Sequence, residues 1–108
     1  MSEFCECACC GKNLEKFIQP VIYSILSKES CNGYQIIKRM KEYATFLDAS
    51  PDPTGIYRYL KNMEKKQLIT IDGDGNYAIT DDGRACFEQW KVTLERYTRS
   101  LTQLIIEL

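Results

Sequence analysis

The chain is predicted to be mainly α-helical with one small β-hairpin, an α+β arrangement that ends in a long helix. Three observations predict it. Apolar residues recur at helical spacing through three successive segments before residue 67. Two short β-prone runs then flank the turn "DGDG" (Asp72–Gly75). Beyond Asp81 an apolar seam with alternating steps of three and four continues to Leu108.

Each element has a local cause. The first helix is expected from about Leu14 or Ile18 to Ser27, where Phe17, Val21, Ile22, Ile25 and Leu26 form a wide apolar stripe. Pro20 fits its first turn, where a missing N–H costs least. Asn32 is the candidate N-cap of a second helix, Gly33 to Ala44, with Ile36, Ile37, Met40 and Tyr43 at helical spacing. Two prolines in "TFLDASPDP" interrupt the pattern. Asp52 or Ser50 caps a third helix with Pro53 at its first position, and Ile56, Tyr59, Leu60 and Met63 share one face. Leu68–Ile71 and Asn76–Thr80 form the hairpin. A last helix starts near Asp81 or Asp82, whose charges suit a helix N-terminus. Its seam comprises Phe87, Trp90, Leu94, Tyr97, Leu101, Leu104 and Leu108.

At 108 residues the chain fits one ordinary domain. It divides into a cysteine-rich arm (1–13), a body (14–80) and the long helix (81–108). Its most apolar early run, Phe17–Leu26, is too short to span a bilayer and contains Gln19, Pro20 and Ser24. It also lacks the basic n-region and the cleavage site of a secretory signal. A cytoplasmic protein with no membrane partner is expected, with cysteines free, metal-bound or redox-active rather than in structural disulfides.

The third helix is the most informative element for function. Opposite Ile56, Leu60 and Met63 lie Thr54, Arg58, Lys61 and Lys65, with Asn62 beside them. One side suits a core and the other is basic and hydrogen-bonding, the division a recognition helix needs. Local charge agrees. Residues 33–66 carry seven basic and four acidic side chains, net +3; residues 1–32 carry three and four, net −1; residues 67–108 carry four and seven, net −3. A nearly neutral chain with a basic middle is expected if one face meets phosphates. Three helices followed by a hairpin match a winged helix-turn-helix.

The stretches "NGYQIIKRM", "GIYRYLKNMEKKQLI" and "YAITDDGRACFEQW" resemble the signatures of PadR-like transcriptional regulators. Those read as a Gly-Tyr opening the second helix, a Leu/Ile-Tyr in the third, a Leu/Met-Glu-x-x-Gly-Leu-Ile run into the wing, and a Tyr-x-Ile/Leu-Thr-x-x-Gly run out of it. The similarity spans about Phe17–Trp90. It implies a homodimeric winged-helix DNA-binding protein, usually a repressor, with the C-terminal helix at the dimer interface. The Gly-Tyr falls on Gly33-Tyr34 and the third-helix Tyr on Tyr57. Two positions depart from the pattern. Gln67 stands where the family has Gly, which requires Gln67 to stay helical or reach the left-handed region. The short wing carries Asp72 and Asp74 at its tip, which phosphate repels.

Together these readings predict a dimer that binds double-stranded DNA at a near-palindromic operator. Thr54, Arg58 and Lys61 would approach base edges, while Tyr34, Lys38, Tyr57 and Lys65 would contact phosphates. The seam from Phe87 to Leu108 would form the dimer interface, since one small domain cannot cover all of it. Two other readings stay open. One is a ligand-responsive repressor with an aromatic pocket near Trp90. The other is a sensor or interaction module that no longer binds DNA.

An enzyme is not expected. Without histidine, Ser-His and Cys-His catalysis have no base. "DGDGN" (Asp72–Asn76) lacks the bidentate Glu of a Ca²⁺ loop. The arm "CECACCGK" groups Cys5, Cys7, Cys9 and Cys10. They are candidate ligands for zinc or another thiophilic metal, with further ligands from Cys31, Cys86 or a second subunit. Oxidation to disulfides and an inert arm are the alternatives.

Overall fold

Helix α1 (Ile18–Lys28) places Val21, Ile22, Ile25 and Leu26 on the core, with Pro20 in its first turn as expected. A two-residue strand β1 (Cys31–Asn32) follows, then α2 (Gly33–Met40), a 3₁₀ turn (Ala44–Phe46), α3 (Pro53–Lys65), strands β2 (Ile69–Ile71) and β3 (Asn76–Ile79), and the 27-residue α4 (Asp81–Glu107). The computed structural model describes residues 17–46 and 52–108, so the candidate ligands Cys5, Cys7, Cys9 and Cys10 lie outside the described residues. The three strands pair antiparallel in the order β1-β3-β2, with Cys31 opposite Tyr77 and Ile69 opposite Ile79. Ile22, Ile36, Met40, Ile56, Leu60 and Trp90 are fully buried, so α1, α2, α3 and α4 all feed one core. Among the described residues no helix is long and apolar enough to cross a membrane.

Two local expectations are corrected. The second helix stops at Met40 instead of Ala44. The Glu42 N–H bonds Arg39 O at 3.1 Å and the Tyr43 N–H bonds Met40 O at 3.1 Å, so the last turn tightens to 3₁₀ geometry. Phe46, 6% exposed, and the 2.7 Å bond between Tyr43 Oη and Ser24 Oγ draw this turn back onto α1. Strand β1 was not expected at all. It pairs only with β3, and two residues carry no periodicity by which to recognise a strand.

Caps explain the remaining boundaries. Asn32 Oδ1 accepts from the Gln35 N–H at 2.8 Å and Gln35 Oε1 accepts from the Asn32 N–H at 3.1 Å, a complete capping box on α2. Helix α3 ends in a Schellman motif: the Leu68 N–H reaches Met63 O and the Gln67 N–H reaches Glu64 O, each at 2.9 Å. The residue after the cap must then be left-handed, and Gln67 has φ 64°. A Cβ is unfavourable there. We therefore expect Gln67→Gly to raise stability by about 0.5–1 kcal/mol, the relieved strain exceeding the added unfolded-state entropy. Denaturant unfolding at constant m-value measures it; a lower midpoint would contradict the strain assigned to Gln67.

The wing is closed by its own acid. Asp72 Oδ1 accepts from the Asn76 and Asp74 N–H groups at 3.0 and 2.8 Å, and Gly75 takes φ 84°. Those bonds, Asn76 first and Asp74 next, hold the Asp72 carboxyl below its usual range. Its support for the turn is present above the unfolded-state pKa and fades as pH falls through the lowered value.

Candidate nucleic-acid interface

Asp52 caps α3 by accepting from the Gly55 N–H at 3.3 Å, and Pro53 occupies the first helical position. The start of the helix is thus set by its own sequence. Ile56, Leu60 and Met63 turn inward and are at most 2% exposed. That fixes the helix by its apolar stripe, and the opposite face follows from 100° per residue. Thr54, Arg58, Lys61 and Lys65 are all exposed there, as is Asn62. Lys38 is exposed on α2.

Among the described residues, Lys38, Arg58, Lys61 and Lys65 enter no ion pair; the basic side chains that do are Arg39, Lys91 and Arg99. Arg39 is held to Glu29 at 3.2 Å. These four exposed cations thus have no acidic partner among the described residues.

Gly33 connects this face to α2. A Cβ at Gly33 would sit 2.5 Å from Tyr57 Cε1. The Tyr57 ring therefore lies over the backbone that opens α2, next in sequence to Tyr34. Tyr34 is 70% exposed and Tyr57 46%, which is unusual for rings that could have been buried. The Tyr77 phenol of β3 is pushed up, mainly by burial and then by Glu64 and Tyr57, which places the wing beside the same helix.

Glycine also sets the other side of the wing. Gly83, in the first turn of α4, is buried, and a Cβ there would collide with the Leu68 carbonyl oxygen and lie 2.8 Å from Ile79 Cγ1. Thr80 caps the helix: its Oγ1 accepts from the Gly83 N–H at 3.0 Å. The same hydroxyl shares its proton between the Gln67 and Leu68 carbonyls, 2.7 and 2.9 Å away. The junction of α3, wing and α4 is thereby a single hydrogen-bonded unit.

The seam of α4 divides into two parts. Trp90 is 1% exposed in the core, and its indole N–H donates to Gln19 Oε1 at 2.6 Å. That burial places Trp90 in the early part of the seam, which packs within the chain. Phe87 and Leu94 are half-buried against the same core. From Glu95 onward every residue is exposed, and Tyr97, Leu101, Leu104 and Leu108 are 41%, 44%, 49% and 93% exposed. The arrangement joins Thr54, Arg58, Lys61 and Lys65 on one helix face, with Tyr57 beside α2, and separates all of them from the distal seam.

The described residues include two cysteines, Cys31, which is buried, and Cys86, which is half-buried. Burial pushes the Cys31 thiol up, partly offset by Arg39. Among the described residues no group of three or more His, Cys, Asp or Glu is placed to hold a metal ion. Gln19 and β1 escaped the sequence reading. A polar residue beside Pro20 in an apolar run was the available signal for Gln19.

Comparison with known proteins agrees with this architecture. A PadR-family transcription regulator of Clostridium difficile is 28% identical, with 82% of this chain and 98% of that chain covered at a TM-score of 0.70. A PadR-like transcriptional regulator of Bacillus cereus is 25% identical over 85% of this chain and 94% of that one, TM-score 0.68. The Vibrio cholerae virulence activator AphA is 27% identical over 68% of this chain and 42% of that one, TM-score 0.59. No curated protein matches the chain. The profile of the PadR-like family of transcriptional regulators matches residues 22–89, from α1 through the wing and into α4. With that span and this fold, the chain belongs to the PadR-like family of transcriptional regulators and is a winged-helix, DNA-binding member of it.

Proposed function

We propose that the protein acts as a homodimer that reads a near-palindromic duplex through α3 and represses transcription by occupying it. The observation that carries this is the division of α3, with three buried apolar side chains on one face and, on the other, Thr54 with exposed Arg58, Lys61 and Lys65, which enter no ion pair among the described residues. Thr54, Arg58 and Lys61 approach base edges, and Tyr34, Lys38, Tyr57 and Lys65 engage phosphates. The acidic wing tip keeps the wing from adding strongly to phosphate binding. Repression follows from size: a subunit with one face on DNA and another on its copy acts most simply by occlusion.

The dimer is supported by the distal half of α4. Tyr97, Leu101, Leu104 and Leu108 continue a stripe whose first half is already covered within the subunit. An exposed apolar seam of that length favours self-association. We expect Leu101→Lys with Leu104→Lys to sediment as a monomer with an intact helical spectrum. Its affinity for a paired site selected by the native protein should fall to that for a single half-site. Sedimentation as a dimer by the variant would overturn the assignment of this interface, and a native protein that selects no duplex sequence would overturn the DNA reading.

A further inference from the structure

Helix α4 is anchored to the body through its first half only, from Gly83 to Leu94. Its last buried positions are Trp90 and Thr93, with Leu94 half-buried; beyond them the helix stands free. The free part from Tyr97 to Glu107 is roughly 16 Å long at 1.5 Å per residue. Apolar packing does not hold this joint on every side. A cavity of about 400 Å³ lies between α1 and α4, lined by Phe17, Val21, Tyr43, Phe87, Leu94 and Thr98 among others. At the same joint sits the Gln19–Trp90 bond, 2.6 Å long and buried, between residues 71 apart in sequence. A directional bond in a low-dielectric core specifies an orientation that apolar contact beside an open groove does not.

We propose that Gln19 is a positioning residue: its bond to Trp90 sets the direction of the free half of α4, and through it the half-site spacing the dimer accepts. This rests on the dimer proposed above. A tilt of about ten degrees at the pivot moves the helix tip by about 3 Å. One base pair rises about 3.4 Å along the duplex. Two-fold symmetry applies the same tilt to both copies, so the two recognition helices change their separation by the order of one base pair. A small angular change at this joint is therefore resolvable by DNA.

Two variants test it. Gln19→Met keeps length and apolar bulk without the acceptor, and Trp90→Phe keeps a ring without the donor. Each is checked for dimerisation by sedimentation and then offered a pool of random-sequence duplexes. The native protein should enrich paired half-sites at one spacing. Each variant should enrich the same half-site, with its preference for that spacing over one shifted by a base pair reduced roughly ten-fold, within the usual range of coupling between sites. The double variant should be no broader than either single one, since both remove the same bond. Trp90 is the chain's single tryptophan, so the Gln19→Met emission spectrum reports the lost bond directly. Variants that shift emission or dimerise normally yet keep the native spacing overturn the proposal alone. Native protein that enriches only single half-sites overturns the dimer reading and this proposal together.

Discussion

Arg58→Ala combined with Lys61→Ala is expected to lower affinity for a selected duplex by roughly 10²- to 10⁴-fold, the sum of two base-edge contacts of about 1–3 kcal/mol each. The plot of log affinity against log salt should become shallower by about 1 to 2 units, because two cations no longer displace counterions. Both side chains are exposed and pair with no described residue, so fold stability should stay within about 0.5 kcal/mol of the native value. That separation matters, because loss of binding with loss of fold says nothing about a site. Lys65→Ala should weaken all sequences alike, as expected of a phosphate contact. Unchanged affinity and salt slope in the double variant would remove α3 as the DNA-reading helix. The same fold would then serve as a sensor or interaction module.

The largest effect on stability is expected from the smallest change. Gly83→Ala adds one methyl group where the Leu68 carbonyl oxygen already stands, with Ile79 Cγ1 2.8 Å away. Backbone, unlike the tip of a long side chain, cannot step aside without moving its strand. The helix start must instead shift away from the wing and pull on the Thr80 hydroxyl that ties Gln67, Leu68 and Gly83 together. A loss of about 3 kcal/mol is expected, a large part of the 5–15 kcal/mol available to an ordinary domain. Gly55→Ala is the matched control, since nothing lies within 4 Å of a Cβ there. It should leave stability unchanged or raise it by up to about 1 kcal/mol through helix propensity. Equal unfolding midpoints for the two variants would show that the wing and α4 are not packed as tightly as the backbone requires.

The contrast between Gly83 and Gly33 explains two of the family-like signatures physically. Gly83 is demanded by backbone on backbone. Gly33 is demanded by the edge of the Tyr57 ring, which is exposed and could swing away. The first is therefore about backbone packing, and the second about where the Tyr57 ring rests on α2. Sequence similarity marked both positions as Gly without distinguishing these reasons.

Much of the architecture was legible because its causes are local. Asn32 and Gln35 cap α2 within four residues, Asp52 and Pro53 start α3, and Asp72 to Gly75 close the wing. The faces of α3 follow from helical geometry once Ile56, Leu60 and Met63 are inward. What the chain alone determined was thus the elements, their order and the basic face of one helix. Tertiary structure decided the rest. It put Gln67 into the left-handed region, ended α2 at Met40 by drawing Tyr43 to Ser24, and added β1 to the wing. It also divided one continuous seam into an internal half at Trp90 and an exposed half beyond Glu95. Periodicity shows that a face is apolar but not what covers it. One partner of Trp90 is Gln19, 71 positions earlier, and a contact over that distance leaves no pattern in the local sequence.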